Sequence, residues 1–162
     1  MILYKHSKGR SALRNMFFGA FTHAVDAKNR IRIPLKLKLP KGEEYVFTVL
    51  REGVISVYSS SAMNERFSFL KNVSPFDVDL NEIAARYLGN FYTAEEDGQG
   101  RVMVPEAIRR QVPLGSEVVT VGMGDHIDIM SKAHHDELEH KYTSEVALSK
   151  LNELYKASKN GN

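Results

Sequence analysis

Short stretches of two-residue alternation punctuate this chain, and other stretches space their apolar residues by three or four. Between Phe17 and Val25, the residues Phe17, Gly19, Phe21 and His23 oppose Phe18, Ala20, Thr22 and Ala24, which predicts a strand. Ile31 and Ile33 point away from Arg30 and Arg32, and Val102 and Val104 point away from Arg101 and Met103. Two longer β-rich runs, 44–58 and 117–130, each fold at a glycine-bearing turn, Arg51-Glu52-Gly53 in the first and Gly122-Met123-Gly124-Asp125 in the second. Val46, Val49, Ile55 and Val57 are core candidates. Helical spacing predicts helices over 61–72, with Met63, Phe67 and Leu70 in line, and from Ser131 onward. Asp79-Leu80-Asn81-Glu82 has the form of a capping box before Ile83, Tyr87 and Leu88, with Gly89 as the stop. Leu148, Leu151, Leu154 and Tyr155 form a stripe suited to a neighbouring subunit, and residues 157–162 should fray.

The strands come in two matching sets. Asp26-Ala27-Lys28-Asn29-Arg30-Ile31-Arg32-Ile33-Pro34 recurs 71 residues later as Asp97-Gly98-Gln99-Gly100-Arg101-Val102-Met103-Val104-Pro105. Beyond the prolines, Val46, Thr48, Val49, Ile55, Val57 and Ser59 align with Val118, Thr120, Val121, Ile127, Ile129 and Ser131 at an offset of 72. The extra residue is assigned to the connection after the proline, where insertions are tolerated. Two copies indicate a duplicated half-domain and not a solenoid.

Each copy opens on an aspartate able to accept a nearby backbone N–H. Asn29 and Gly100 share one repeat position, and these residue types most readily take positive φ, so a left-handed turn is expected there. Asp26, Asn29, Asp97 and Gly100 are therefore assigned to shaping the loops. Pro34 and Pro105 end the strands; Pro105-Glu106-Ala107-Ile108-Arg109-Arg110 starts a helix well, whereas Leu35-Lys36-Leu37-Lys38-Leu39 lacks a helical pattern. An Asp–Arg pair could simply lock its turn. Lys28, Arg30, Arg32, Lys36 and Lys38 crowd the first copy, however, which points to a phosphate-facing surface.

Charge sharpens this picture. The net charge is only +2, yet residues 1–41 hold ten Lys/Arg against Asp26 alone, a balance of +9. The remainder holds twelve basic and nineteen acidic residues, a balance of −7, and such asymmetry suggests a polyanion-facing end. Apolar residues make up 43% of the chain, enough for a core and against a disordered class. With no cysteine there is no disulfide framework or thiolate metal site, which fits a reducing cytoplasmic home. No apolar run is long enough for a membrane. His23 has no partner at metal spacing, and His134, His135 and His140 lack the H-E-x-x-H arrangement, so no metal or other cofactor is expected. The Gly122-Met123-Gly124-Asp125 turn is not followed by the Gly-Lys-Ser/Thr of a phosphate loop, and no nucleophile motif is present, so an enzyme is not expected.

Phe18-Gly19, His23, Asp26-Ala27-Lys28-Asn29-Arg30, Ile33-Pro34 and Asp97 through Pro105 together resemble the MraZ family of bacterial transcriptional regulators, over roughly 16–142. Asn29 stands where glycine is usual in that family. The resemblance implies an α+β, β-rich fold of two tandem swapped-hairpin, AbrB-like half-repeats forming a pseudo-twofold barrel with flanking helices. The implied organisation is a basic, disordered extension over 1–15, a first repeat over 16–73, a linker helix over 74–90, a second repeat over 91–142, and a C-terminal helix and tail over 143–162. The resemblance begins at Met16, so residues 1–15 also read as lying upstream of a true start. It further implies double-stranded DNA as partner, bound at short direct repeats in a promoter of a division and cell-wall gene cluster by a ring-shaped homo-oligomer, in the cytoplasm at the nucleoid. Arg30 and Arg101 are then the main DNA contacts, with Lys28 and Arg32 supporting them. The alternative is a ring-forming scaffold whose Asp–Arg pairs are purely structural. An AbrB-like antitoxin fits less well, because such proteins usually carry one copy of the motif and a disordered partner-binding tail.

Overall fold

The computed structural model describes residues 16–161, so the extension over residues 1–15 lies outside the described residues. The first repeat supplies β1 (Ala20–Ala24), β2 (Arg30–Ile31), β3 (Tyr45–Arg51), β4 (Val54–Ser59) and α1 (Ser60–Phe67). A second helix, α2 (Val78–Leu88), joins the halves. The second repeat supplies β5 (Tyr92–Ala94), β6 (Val102–Met103), α3 (Glu106–Gln111), β7 (Glu117–Gly122), β8 (His126–Ser131) and α4 (Lys132–Lys141), and α5 (Ser144–Asn160) follows.

The repeats interleave. Six strands form one antiparallel sheet in the order β1-β7-β8-β4-β3-β5, and β2 pairs with β6 as a separate ribbon. The first repeat's β1 is therefore added to the second repeat's β7, and the second repeat's β5 to the first repeat's β3. This is a hairpin exchange within one chain. At the centre, β4 pairs with β8 so that Ser56 faces Asp128, its own repeat equivalent, and in the ribbon Ile31 faces Val102, also its equivalent. A pseudo-twofold relation passes through both pairs.

The sheet is not a closed barrel, in contrast to the expectation. Its edges, β1 and β5, do not pair with each other. Both hairpins turn over at Asp26 and Asp97, so β2 and β6 leave the sheet and meet each other across its face, after the isolated bridges Val25–Ile31 and Glu96–Val102. Between ribbon and sheet lies the core: Ile31, Ile33, Val102 and Val104 from one side, Phe47, Ile55, Val57, Val118, Ile127 and Ile129 from the other. Leu37, Ile108, Val112 and Leu114 complete it from the connections. Truncating one of these isoleucines to alanine removes packing worth about 2–5 kcal/mol.

The register revises the repeat alignment. Thr22 pairs with Val119 and the equivalent Thr93 pairs with Val46, so Val46 corresponds to Val119, 73 residues on, and not to Val118. The same shift separates Thr48 from Thr120. A bulge in β3 between Thr48 and Arg51 restores the offset of 72 by β4. The connection after the proline thus differs by two residues, and the bulge takes one back. Val49, beside the bulge, is only partly buried.

Local chemistry sets the helix ends. Ser59 accepts from Ala62 N–H at 3.0 Å and Ser131 from His134 N–H at 3.1 Å, the same N-cap in both repeats. Asp77, not Asp79, caps α2, accepting from Leu80 N–H at 3.0 Å. Ser74-Pro75-Phe76 places Asp77 at the turn, where its carboxylate meets the first free N–H groups. The helix expected over 61–72 stays α-helical only to Phe67 and tightens to a 3-10 turn over Ser68–Asn72. Leu35–Leu37 makes a single 3-10 turn where α3 stands in the second repeat. The C-terminal helix runs to Asn160, past the point of expected fraying.

The carboxylate at the pseudo-dyad is 1% exposed and surrounded by donors. Ser56 Oγ donates to Asp128 Oδ1 at 2.7 Å, Arg51 pairs with Oδ2, and His126 Nε2 lies 3.3 Å from Oδ1. Burial pushes the Asp128 carboxyl up, but the contacts with His126, Ser56 and Arg51 outweigh it and hold it below the ordinary range. Burial pulls His126 down, and its contacts with Asp128 and Asp125 more than reverse this, leaving its pKa raised above 6.5. A raised folded value stabilises the fold fully below the unfolded value and ceases to do so as pH rises through the folded one. Thermal melts of wild type and His126→Asn should therefore differ most near about pH 6 and least near about pH 8.5. A gap that is constant with pH would show that His126 acts through packing alone.

Candidate nucleic-acid interface

The two Asp–turn–Arg loops are built alike, atom for atom. Asp26 Oδ1 accepts from the N–H groups of Lys28 and Arg30, both at 2.9 Å, while Oδ2 accepts from Arg30 Nε at 2.7 Å. Asp97 Oδ1 accepts from Gln99 N–H at 2.9 Å and Arg101 N–H at 3.0 Å, and Oδ2 from Arg101 Nε at 2.9 Å. The backbone N–H of each arginine leads in holding these carboxyls below their ordinary pKa; desolvation opposes it, and the arginine side chain adds to it. Asn29 at φ 58° and Gly100 at φ 75° supply the left-handed step that aims both N–H groups at one carboxylate.

The β2–β6 ribbon brings the loops side by side. Arg30 Nη1 lies 3.8 Å from Asp97 Oδ2, across the pseudo-dyad from its own partner. Both arginine side chains are about a quarter exposed, 22% and 25%. Each aspartate takes the inner edge, Nε, which leaves the two Nη groups as the outer edge of a fixed guanidinium.

The surrounding charge is less uniform than the sequence suggests. Lys38 Nζ sits 2.7 Å from Glu96 Oε1, so this member of the basic cluster is neutralised across the repeats. Tyr45 Oη also donates to Glu96, at 3.1 Å, and burial, with the Glu96 charge, pushes the phenol up to about 12. Lys28, Arg32 and Lys36 are exposed, and among the described residues none has an ion-pair partner. Sequence reasoning missed the Lys38–Glu96 pair because 58 residues separate the partners. Arg109 is likewise occupied, its Nε donating to Val104 O at 3.0 Å, which fastens α3 to the ribbon. Arg110 pairs with Glu106 on the surface of α3.

His23 donates or accepts at Thr120 Oγ1, 2.6 Å away, on the core side of β1. Burial lowers its pKa, as suits a neutral packed imidazole. Among the described residues no group of His, Asp and Glu has the geometry to hold a metal ion.

A model of the MraZ protein family, described as antitoxin-like, matches residues 88–154. The chain is 36% identical over 129 residues to the transcriptional regulator MraZ of Lactiplantibacillus plantarum, an alignment covering 76% of this chain and 88% of that protein. It is 30% identical over 122 residues to the transcriptional regulator MraZ of Mycoplasmopsis pulmonis, covering 75% and 83% respectively. With the protein of that name from Mycoplasmopsis synoviae it shares 31% over 140 residues, 84% of this chain and 95% of the relative.

The left-handed turn has a direct test in stability. Asn29→Val should cost about 1–2 kcal/mol more than Asn29→Gly in denaturant unfolding, because a β-branched side chain resists positive φ. Equal stability of the two variants would mean that the turn relaxes to another conformation.

Proposed function

From the premise that this chain belongs to the MraZ family, we propose that it is a transcriptional regulator acting through sequence-specific binding to double-stranded DNA. Its α+β architecture is the AbrB-like fold of that family. One observation carries the reading: a single ribbon sets two pre-organised arginines beside the unpaired cations Lys28 and Arg32. A two-stranded β-ribbon fits the major groove, and a guanidinium whose Nη groups make no hydrogen bond among the described residues can reach guanine O6 and N7 in bidentate fashion. Arg30 and Arg101 read bases; Lys28 and Arg32 contact phosphate or base; Asp26, Asn29, Asp97 and Gly100 hold the loops for them. The aspartates have their oxygens engaged by N–H groups of their own turn, which suits positioning better than DNA contact.

The same proposal includes a ring-shaped homo-oligomer in the cytoplasm, at the nucleoid, bound to short direct repeats ahead of a division and cell-wall gene cluster that includes its own promoter. Exposed apolar faces support assembly. Val78, Leu80, Ile83 and Tyr87 line α2, and Leu148, Leu151, Leu154 and Tyr155 line α5, more apolar side chain than a lone helix surface usually leaves in water. Several weak contacts held in one ring gain affinity through effective concentration. No helix among the described residues is long and apolar enough to cross a membrane.

The scaffold reading draws on the Asp–Arg pairs, which satisfy one another inside each turn. The two readings separate on binding to DNA from just upstream of the gene encoding this chain. Lys28→Ala/Arg32→Ala should weaken binding and flatten the log–log salt slope by roughly 2, about one for each phosphate that is no longer neutralised. Arg30→Ala/Arg101→Ala should abolish preference for that DNA over a scrambled duplex, with oligomer size in light scattering unchanged. Weak binding indifferent to sequence and to all four substitutions would favour the scaffold.

A further inference from the structure

The ribbon is symmetric in backbone and asymmetric in what it presents. Under the repeat relation Lys28 corresponds to Gln99 and Arg32 to Met103. Arg30 faces Met103 in the observed register, and continuing that register by one residue sets Arg32 opposite Arg101. Ile31, Ile33, Val102 and Val104 are all within 1% of full burial, so the intervening residues make up the outward face. Met103 on that face is 51% exposed, and Gln99 is exposed at the tip of its loop. The pairing is antiparallel, so one end of the ribbon carries Lys28, Arg30 and the thioether of Met103, and the other carries Arg101, the amide of Gln99 and Arg32, whose guanidinium lies beside Gly100.

Resting on the DNA-binding reading above, we propose that the two ends of the ribbon read unlike base steps, with Met103 a specificity-determining residue seated on a thymine methyl. The chemistry of the major groove supports this division. An apolar side chain fits the C5-methyl of thymine, so Met103, opposite Arg30, selects a thymine beside the guanine that Arg30 reads. At the other end Arg32, opposite Arg101, adds charge for guanine edges and phosphate. Methionine suits the role because its flexible, polarisable side chain fits an irregular apolar surface. A structural explanation competes: an arginine at position 103 would face Arg30 directly, a like-charge opposition that destabilises a ladder and that the ribbon already carries once, at Arg32 and Arg101. That explanation requires only the absence of charge and predicts no thymine.

The upstream duplex is first footprinted with wild type, and each thymine in the footprint is then replaced singly by deoxyuridine, which removes only the methyl. At one position the replacement should weaken wild-type binding about fourfold, the effect of one buried methyl group. Met103→Ala, whose melting temperature checks the fold, should bind the thymine and deoxyuridine duplexes equally. Met103→Arg should likewise ignore the methyl and steepen the salt slope by about 1. If wild type binds the duplex tightly and with steep salt dependence, yet no deoxyuridine matters or Met103→Ala keeps the full effect, the inference falls and the DNA reading stands. If wild type shows no preference for that duplex, both fall.

Discussion

Neither repeat can complete its own sheet. Without the exchange β3 would lose its partner β5, β7 would lose β1, and the apolar faces of Ile31 and Ile33 would lack cover; the exchange of hairpins answers all of these together. β1 lies on β7 and β5 on β3, so each half donates the edge strand that the other needs. The freed second arms of the hairpins, β2 and β6, then have only each other for backbone pairing, and they close over the core as a pair. Backbone groups buried in a core must find partners, and for the outer edges of β3 and β7 and for the ribbon those partners lie in the other repeat. The site follows from this constraint: two loops separated by 71 residues in sequence meet because their strands have nowhere else to pair.

A pseudo-dyad forces residues to face their own equivalents, and duplication then becomes a problem wherever the side chain is charged. In the ribbon the facing pair is Ile31 and Val102, where likeness is harmless. In the central sheet it is Ser56 and Asp128. Two aspartates there would place two carboxylates together at a site almost closed to water, and one would have to take up a proton. With serine on one side, a hydroxyl donates to the carboxylate instead, while Arg51 supplies positive charge and the His126 ring a further polar contact. The Arg51 contact crosses from one repeat to the other, so the polar cluster also ties the halves. Burying an ion pair gives little net stability over apolar packing, but removing one member of it is costly. The cluster fixes register between β4 and β8 more than it adds free energy.

The repeat, the two hairpins, the left-handed position shared by Asn29 and Gly100, and the inward faces of β2 and β6 were legible in the sequence because local spacing determines them. What local spacing does not determine was missed. The β3 bulge leaves the alternating pattern intact on both sides, so Val46 aligned with Val118 when it belongs with Val119. Asp77 and Asp79 are equally good caps on composition, and the turn at Ser74 decides between them. Barrel closure depends on whether β1 and β5 meet, a property of twist and curvature with no local signature. Lys38 read as part of a basic surface because Glu96 lies in the other repeat.

The electrostatics of the interface follow from that same cross-repeat pairing. Asp26, Asp97 and Glu96 neutralise Arg30, Arg101 and Lys38, and Lys28, Arg32 and Lys36 remain as the unpaired charge, all on the first repeat. Charge density alone would attract any polyanion; what the paired arginines add is direction. An unpaired arginine on a loop samples many rotamers and loses that freedom on binding, at up to about 2 kcal/mol. Holding Nε on an aspartate removes much of that loss beforehand and fixes the plane of the guanidinium. The price is a reduced local charge, and the three unpaired cations restore it. Positioned arginines thus supply discrimination and free cations supply attraction, a division of labour set by which carboxylates the fold brings within reach.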